Sequence, residues 1–263
     1  MAIITLTTDF GLTDSYVAQM KGVILGINPE IQVVDVTHAI PPQDVRRGAA
    51  IFCEIAGTFP NGTIHIGVVD PGVGSSRALL AAHAAGQRFL APDNGLLSLL
   101  FRSFPPERVQ RLEADRFWRK PVSATFHGRD ILASVAAHWS DGVDIAEFGP
   151  PVDASSLVTL PASEPRRVDQ SVVGIVEAVD RFGNLITNIR DTDLTAGARA
   201  VISIIIGGVR IPGINHSYSD QPTGNLVALI GSSGYLEIAV NQGSAATKLA
   251  AHPGTEVRLE LQK

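Results

Sequence analysis

From Ile3 to Trp139 short β-rich runs alternate with segments of helical spacing, and two of those runs end on an aspartate. Ile3 to Thr8 is the first run and stops at Asp9-Phe10-Gly11; Val17, Met20, Val23 and Ile24 then fall at helical spacing between Ser15 and Leu25. Asn28-Pro29 breaks that helix, Gln32 to Val36 reads as a second strand, and Asp44 to Ile55 as a second helix. Thr63 to Val69 is a third strand, running out at Asp70. Arg77 to Ala84 and Arg88 to Ala91 read as further strands, Asn94 to Phe101 as a short helix, and Ile131 to Trp139 as another helix with Asp130 as its candidate cap. Such alternation predicts an α/β fold with a mostly parallel, Rossmann-like sheet covered on both faces, in which ligands sit beyond the carboxyl ends of strands. Asp9 and Asp70 both lie at such ends.

The pattern changes after Gly149-Pro150-Pro151. The polar stretch Ala162 to Gln170, with Pro165 and Arg166-Arg167, reads as a linker, and beyond it every run is β-type. Val172 to Val179, Val201 to Ile206, Asn225 to Ile230, Tyr235 to Val240 and Glu256 to Leu261 are divided by Gly, Asn or Pro turns. The expected organisation is an N-terminal α/β domain over residues 1–163 and a smaller C-terminal all-β barrel domain over 171–263.

Composition narrows the function. With 45% hydrophobic and 18% charged residues a sizeable core is available, and a net charge of -5 argues against a nucleic-acid surface. Small molecules are the expected partners. The single cysteine, Cys53, sits on an apolar helical stretch and reads as a buried inert thiol in a reducing, cytoplasmic setting. No apolar run approaches the ~20 residues of a membrane helix, and the first residues lack the basic start of a secretion signal.

Three segments carry candidate chemistry, and each has a plainer structural explanation. In Asp70-Pro71-Gly72-Val73-Gly74-Ser75-Ser76-Arg77 a glycine-bent loop separates an acid from a base and can bring them together. Asp-Pro-Gly is equally good turn chemistry, with the arginine as a loop clamp. In Thr125-Phe126-His127-Gly128-Arg129-Asp130, His127 approaches a helix with a glycine leaving room beside it, although it is one of seven histidines. In Asp180-Arg181-Phe182-Gly183-Asn184 an acid, an aromatic and an amide surround a glycine, a set that suits a purine or ribose and also suits a hairpin turn. No HxH, HExxH or Cys/His spacing supports a metal site.

Taken in order, these segments resemble the S-adenosylmethionine hydroxide adenosyltransferases, hydrolases related to the fluorinating and chlorinating S-adenosylmethionine enzymes. The resemblance runs through Thr8-Asp9-Phe10-Gly11 with Asp14-Ser15-Tyr16-Val17, His38 with Asp44-Val45, Asp70-Pro71-Gly72-Val73-Gly74, Pro92-Asp93-Asn94-Gly95, Phe126-His127-Gly128-Arg129-Asp130, Asp180 with Phe182-Gly183-Asn184, Thr187-Asn188 and Gly234-Tyr235. It implies cleavage of S-adenosylmethionine to adenosine and methionine by activated water, without a metal or further cofactor. It also implies a homotrimer whose ligand lies between one subunit's first domain and a neighbour's second. By the same resemblance Asp70, Arg77 and His127 form the water-activating triad and Asp9 holds ribose hydroxyls. Phe126, Asp180, Phe182 and Asn184 line the pocket, Tyr218 borders the adenine, and Ser232, Glu237 and Val240 hold the methionine portion or the base.

Departures from the halogenating relatives are informative. Asp70 and His127 stand where those enzymes resemble one another in carrying tyrosines, and a carboxylate there repels a halide by several kcal/mol at reduced dielectric. Water is therefore the expected nucleophile. The alternatives are a chlorinase-type halogenase and a non-catalytic sensor of S-adenosylmethionine or adenosine. Clearance of an unwanted sulfonium stereoisomer is the purpose the resemblance suggests.

Overall fold

The computed structural model describes residues 2–161, 163–195 and 201–262, which fall into two compact units, Met1–Leu160 and Pro161–Lys263. In the first, β1 (Ile3–Thr8), α1 (Tyr16–Ile27), β2 (Gln32–Thr37), α2 (Val45–Ile55) and β3 (Ile64–Val68) follow the expected alternation. They lead into β4 (Leu79–Ala84), β5 (Gln87–Pro92), α3 (Ser98–Ser103), β6 (Arg108–Arg111) and α4 (Ser134–Ser140). Among the described residues six strands form one sheet in the order β2-β1-β3-β5-β4-β6. Pairing is parallel from β2 through β1 and β3 to β5, and antiparallel at β4 and β6. The mostly parallel expectation holds for the part of the sheet that carries Asp9 and Asp70.

The sequence periodicity explains the layers. Val17, Met20 and Ile24 point inward from α1, and burying each side chain contributes about 1.5–3 kcal/mol. β3 is buried along its whole length because it has a helix layer on each face. Val68 packs with Met20, Ile131 and Val135 on one side, while Phe52, Leu80, Phe89 and Leu96 fill the other. Gly67 admits that second layer, since a Cβ there would lie 2.7 Å from the Phe52 ring. Cys53 is only half-buried, with its Sγ 3.6 Å from the Leu99 carbonyl. The expected burial of this thiol is therefore corrected: in α2 it is Gly48, Ala49 and Phe52 that turn fully inward, and Cys53 stands at the margin of the core.

One expected boundary is corrected. Asp130 does not cap the helix: a π-type turn over Gly128–Ala133 runs directly into α4, and Asp130 lies inside it, wholly buried. Its carboxylate accepts from Arg119, Arg129 and the backbone N–H of Ser123, so it ties the incoming loop to the helix. Burial opposes its ionisation, yet the hydrogen bonds from Arg129 and Ser123 outweigh that and hold its pKa below the usual aspartate value.

The second unit comprises β7 (Arg166–Val168), β8 (Ser171–Val179), β9 (Leu185–Arg190), α5 (Asp191–Thr195), β10 (Val201–Ile206) and β11 (Val209–Pro212). β12 (Leu226–Ile230), β13 (Tyr235–Val240), α6 (Ala245–Leu249) and β14 (Glu256–Leu261) complete it. The stretch read as a linker therefore contains a strand: Arg166–Val168 folds back on β8, and Asp169 takes a φ of 53° in the connecting turn. Ala162 of that stretch lies outside the described residues. The other strands run antiparallel in the order β11-β10-β14-β8-β9-β13-β12. A bulge between Val176 and Ala178 bends β8 where its pairing passes to β9. The sheet curls until Asn215, just past β11, donates its N–H to Ala228 in β12 at 2.7 Å, leaving a nearly closed barrel. Val176, Leu185, Ile204, Leu236, Ile238, Val257 and Leu259 fill it. Among the described residues no helix is long and apolar enough to cross a membrane.

Candidate active site

In the first unit the candidate residues gather beyond the carboxyl ends of the adjacent parallel strands β1 and β3. Asp9 follows β1 and its N–H lies 3.4 Å from the carbonyl of Val68, two residues before Asp70. After Asp70 the chain bends through Gly74, whose φ of 81° and 2.5 Å Cβ distance from the Ala124 carbonyl oxygen suit glycine alone. The bend returns Arg77 to Asp70. Its Nε donates to Asp70 Oδ1 at 2.6 Å, and its Nη2 donates to Oδ2 in a fork that fixes the plane of the carboxylate. The two side chains are 9% and 5% exposed, so the pair is largely shielded from water.

His127 completes the group. Its Nδ1 lies 3.2 Å from Arg77 Nη2, and arginine has no acceptor, so Nδ1 must present its lone pair. The neutral ring then carries its proton on Nε2. Burial and, after it, the Arg77 charge push the His127 pKa below the usual histidine value, against the opposing charges of Asp70 and Asp130. Gly128 lets the π-type turn approach β3, since its Cβ would stand 3.1 Å from Val68. A π-type turn is uncommon in ordinary helices and recurs at functional sites.

Phe126 is buried beside His127 and meets Phe10 and Tyr16 edge-on, with centroids 5.8 and 5.4 Å away. Two residues to which the sequence assigns no role stand beside these. Tyr16 is half-exposed at the rim of this aromatic group, and Gln43, with φ 67°, donates its backbone N–H to Asp9 Oδ2 at 2.8 Å. The Pro41-Pro42 pair announces a turn before Gln43, but a non-glycine residue at positive φ leaves no mark in sequence.

In the second unit Asp180, Phe182 and Asn184 form the tight turn between β8 and β9. Asp180 Oδ1 accepts from the N–H groups of Phe182 and Asn184, and its Oδ2 from Asn184 Nδ2 at 3.0 Å. The hairpin explanation of this segment is thus correct, and the turn leaves Phe182 75% exposed. Tyr218 donates its hydroxyl to Oε1 of the buried Glu237 at 2.6 Å. Burial and the adjacent Glu237 push the Tyr218 pKa up to about 12. Burial also raises the Glu237 pKa; the Tyr218 bond opposes this and the Asp180 charge adds to it. Asp180, Asn184, Tyr218 and Glu237 therefore form one interacting cluster. Ser232 is exposed in the β12–β13 turn, and Val240 is buried at the end of β13.

Residues 4–149 match the SAM hydroxide adenosyltransferase N-terminal domain, and residues 174–258 the C-terminal domain of the same family. The chain belongs to the SAM hydroxide adenosyltransferase family. A relative from Thermus thermophilus named (R)-S-adenosyl-L-methionine hydrolase is 40% identical, over 96% of this chain and 97% of its own. A fluorinase from Nocardia brasiliensis is more distant, 29% identical over 98% of this chain and 97% of its own. The solved structure of an uncharacterized conserved protein from Thermotoga maritima superposes with a TM-score of 0.90 at 34% identity, covering 98% of this chain and 99% of that one. Both the α/β sheet and the barrel are thus shared with that structure.

Proposed function

We propose that this protein hydrolyses S-adenosyl-L-methionine to adenosine and L-methionine by in-line attack of water at the ribose C5′ carbon. The observation that carries the reading is the clasp of Asp70, Arg77 and His127: a charged, shielded group suited to holding a water oxygen and unsuited to a halide. Membership of the family and the name of the Thermus relative support the same substrate, with the (R) sulfonium epimer as the preferred form.

The chemistry follows from the tautomer. A new bond forms between the water oxygen and C5′ while the C5′–S bond breaks, its electron pair leaving with methionine as a neutral thioether. Departure needs no acid. His127 directs its Nε2–H at the attacking oxygen and stabilises charge developing there, which leaves Asp70 to take the proton. Arg77 holds both partners in register.

Asp9 would hold the ribose hydroxyls and Phe126 would border the pocket, while Asp180, Phe182, Asn184, Tyr218, Ser232, Glu237 and Val240 would contribute the adenine and methionine contacts. The buried acceptor Glu237 suits an amino group. In the assembly we infer, a homotrimer in the cytoplasm, the N-terminal residues of one subunit face the C-terminal residues of a neighbour. The reaction requires no cofactor in this scheme.

Hydrolysis in labelled water tests the displacement. Label in the 5′-hydroxyl of adenosine is the expected result, and label-free adenosine refutes it. Formation of 5′-chloro- or 5′-fluoro-adenosine with added halide would assign a halogenase instead, and recovery of unchanged ligand a binding protein. Equal consumption of the two sulfonium epimers would remove the stereochemical part of the proposal.

A further inference from the structure

The imidazole of His38 has no part in the scheme above, yet its side chain is 3% exposed and stands at the centre of a continuous polar chain. Its Nε2 lies 3.1 Å from Oδ1 of Asp35, whose Oδ2 is 2.6 Å from Nζ of Lys21 on α1. No hydrogen bond of good geometry forms at Nε2, so Asp35 braces the ring by its charge across this short gap. On the other side of the ring, Nδ1 lies 2.9 Å from Oγ1 of the wholly buried Thr8.

This polar chain ends at the loop that follows Asp9. Thr8 Oγ1 accepts the backbone N–H of Phe10 at 3.2 Å, and the His38 carbonyl accepts the N–H of Gly11 at 2.8 Å. The imidazole therefore holds the backbone after Asp9 at Phe10, through Thr8, while the main-chain carbonyl of His38 holds it at Gly11. The Asp9 carboxylate is met by Gln43 N–H, and the rest of its direction is inherited from this loop, in which Gly11 takes a φ of 65°. A histidine serving only to pack would need a polar partner to satisfy its ring. It would not need one that also holds the loop of the candidate ribose-binding residue.

We propose that His38, braced by Asp35, is a positioning residue that sets the aim of the Asp9 carboxylate through Thr8 and the backbone of residues 10 and 11. The proposal rests on the reading of Asp9 as the ribose-hydroxyl acceptor. It assigns His38 an effect on nucleoside affinity and none on the chemical step.

Thr8→Val removes the hydroxyl joint at nearly constant volume, and Thr8→Ser keeps it. His38→Ala cuts the chain at its centre, and Asp35→Asn weakens it at its exposed end. For each variant, alone and with Asp9→Asn, kcat and KM for S-adenosylmethionine are measured on the full-length protein. Binding of adenosine and of 2′,3′-dideoxyadenosine is measured by calorimetry. Thr8→Val and His38→Ala should raise KM about tenfold, the size expected for one hydrogen bond to a charged group, with kcat nearly unchanged. Both should also abolish the wild-type preference for adenosine over the dideoxynucleoside. Thr8→Ser should match wild type, Asp35→Asn should fall between, and Thr8→Val added to Asp9→Asn should change nothing further.

Thr8→Val and His38→Ala variants that lose thermal stability but keep wild-type KM and nucleoside preference would overturn the proposal. So would an Asp9→Asn protein that still prefers adenosine, since nothing would then be positioned. If His38→Ala does not fold, the Thr8→Val and Thr8→Ser pair decides. A wild type that prefers adenosine but does not turn over S-adenosylmethionine would refute the hydrolase reading alone, and the calorimetric comparison would still judge His38.

Discussion

The Nη2 of Arg77 lies 3.2 Å from the Nδ1 of His127, and that contact decides which face of the imidazole is left for chemistry. A guanidinium can only donate, so the ring is a lone-pair acceptor toward Arg77 and an N–H donor at Nε2. In the proposed reaction His127 is accordingly the holder of the nucleophile and not its base.

Replacing His127 tests that role through a pair of variants. His127→Ala should lower kcat by about 10²–10³, the usual loss of one donor at a developing oxyanion. His127→Gln, whose amide N–H extends toward the imidazole Nε2 position, should recover part of it. The His127 pKa is lowered by burial and by Arg77, so the neutral donor form persists from neutral pH down past the ordinary histidine value of about 6.5. The acid limb of the kcat profile due to this ring should accordingly lie below that value; a limb above it would reassign the histidine.

Asp70 carries two duties that separate experimentally. Asp70→Asn keeps the shape but not the basicity, and should lower kcat by about 10²–10⁴ while leaving substrate affinity in place. It also strips the counter-charge from Arg77, whose side chain is 9% exposed. Thermal unfolding should show a loss of about 3 kcal/mol, the low end for breaking a shielded pair. A variant with full activity would dismiss Asp70 as the proton acceptor.

Gly74 is the hinge that lets the acid and the base meet. Gly74→Ala places a methyl 2.5 Å from the Ala124 carbonyl oxygen at a φ of 81°. Expected are a stability loss of about 1–3 kcal/mol and a fall in kcat larger than the rise in KM, because the Asp70–Arg77 loop shifts as a unit. Steady-state kinetics alongside denaturant unfolding will read both.

Glu237 combines burial with a hydrogen bond from Tyr218, whose pKa of about 12 keeps its hydroxyl proton in place at any working pH. The raised Glu237 pKa means the folded state favours the protonated acid. Its stabilising contribution is present below the ordinary glutamate value of about 4.3 and fades as pH rises through the folded pKa. Glu237→Gln should therefore gain stability relative to wild type on going from pH 4 to pH 8, while KM rises because one carboxyl oxygen acceptor becomes an amide N–H donor. Melting curves across that range, with KM at neutral pH, check both signs.

Much of the architecture was legible because it depends on local periodicity. The inward stripe of Val17, Met20 and Ile24 and the β3 run, apolar but for His65, each specify their own secondary structure. The irregular places were not legible. Asp130 looks like a cap by composition, and only the packing of the π-type turn and the reach of Arg119 make it an interior anchor. Arg166–Val168 looks like a linker because it opens on two arginines and is exposed throughout, yet an edge strand needs only a partner's backbone. Gln43 contributes through a backbone N–H at positive φ, which has no side-chain signature.

The candidate site divides in the same way. The sequence alone determined that Asp9 and Asp70 would emerge at strand ends and that a glycine-bent loop could return Arg77 to Asp70, since turn chemistry and strand period are local properties. Tertiary structure decided that His127, fifty positions beyond Arg77 in the chain, would meet the same guanidinium, and hence which of its nitrogens keeps the proton. It also decided that His38 would support the Asp9 loop. Those outcomes depend on hydrogen bonds between residues far apart in the chain, and only packing brings such groups within 3 Å or so of one another.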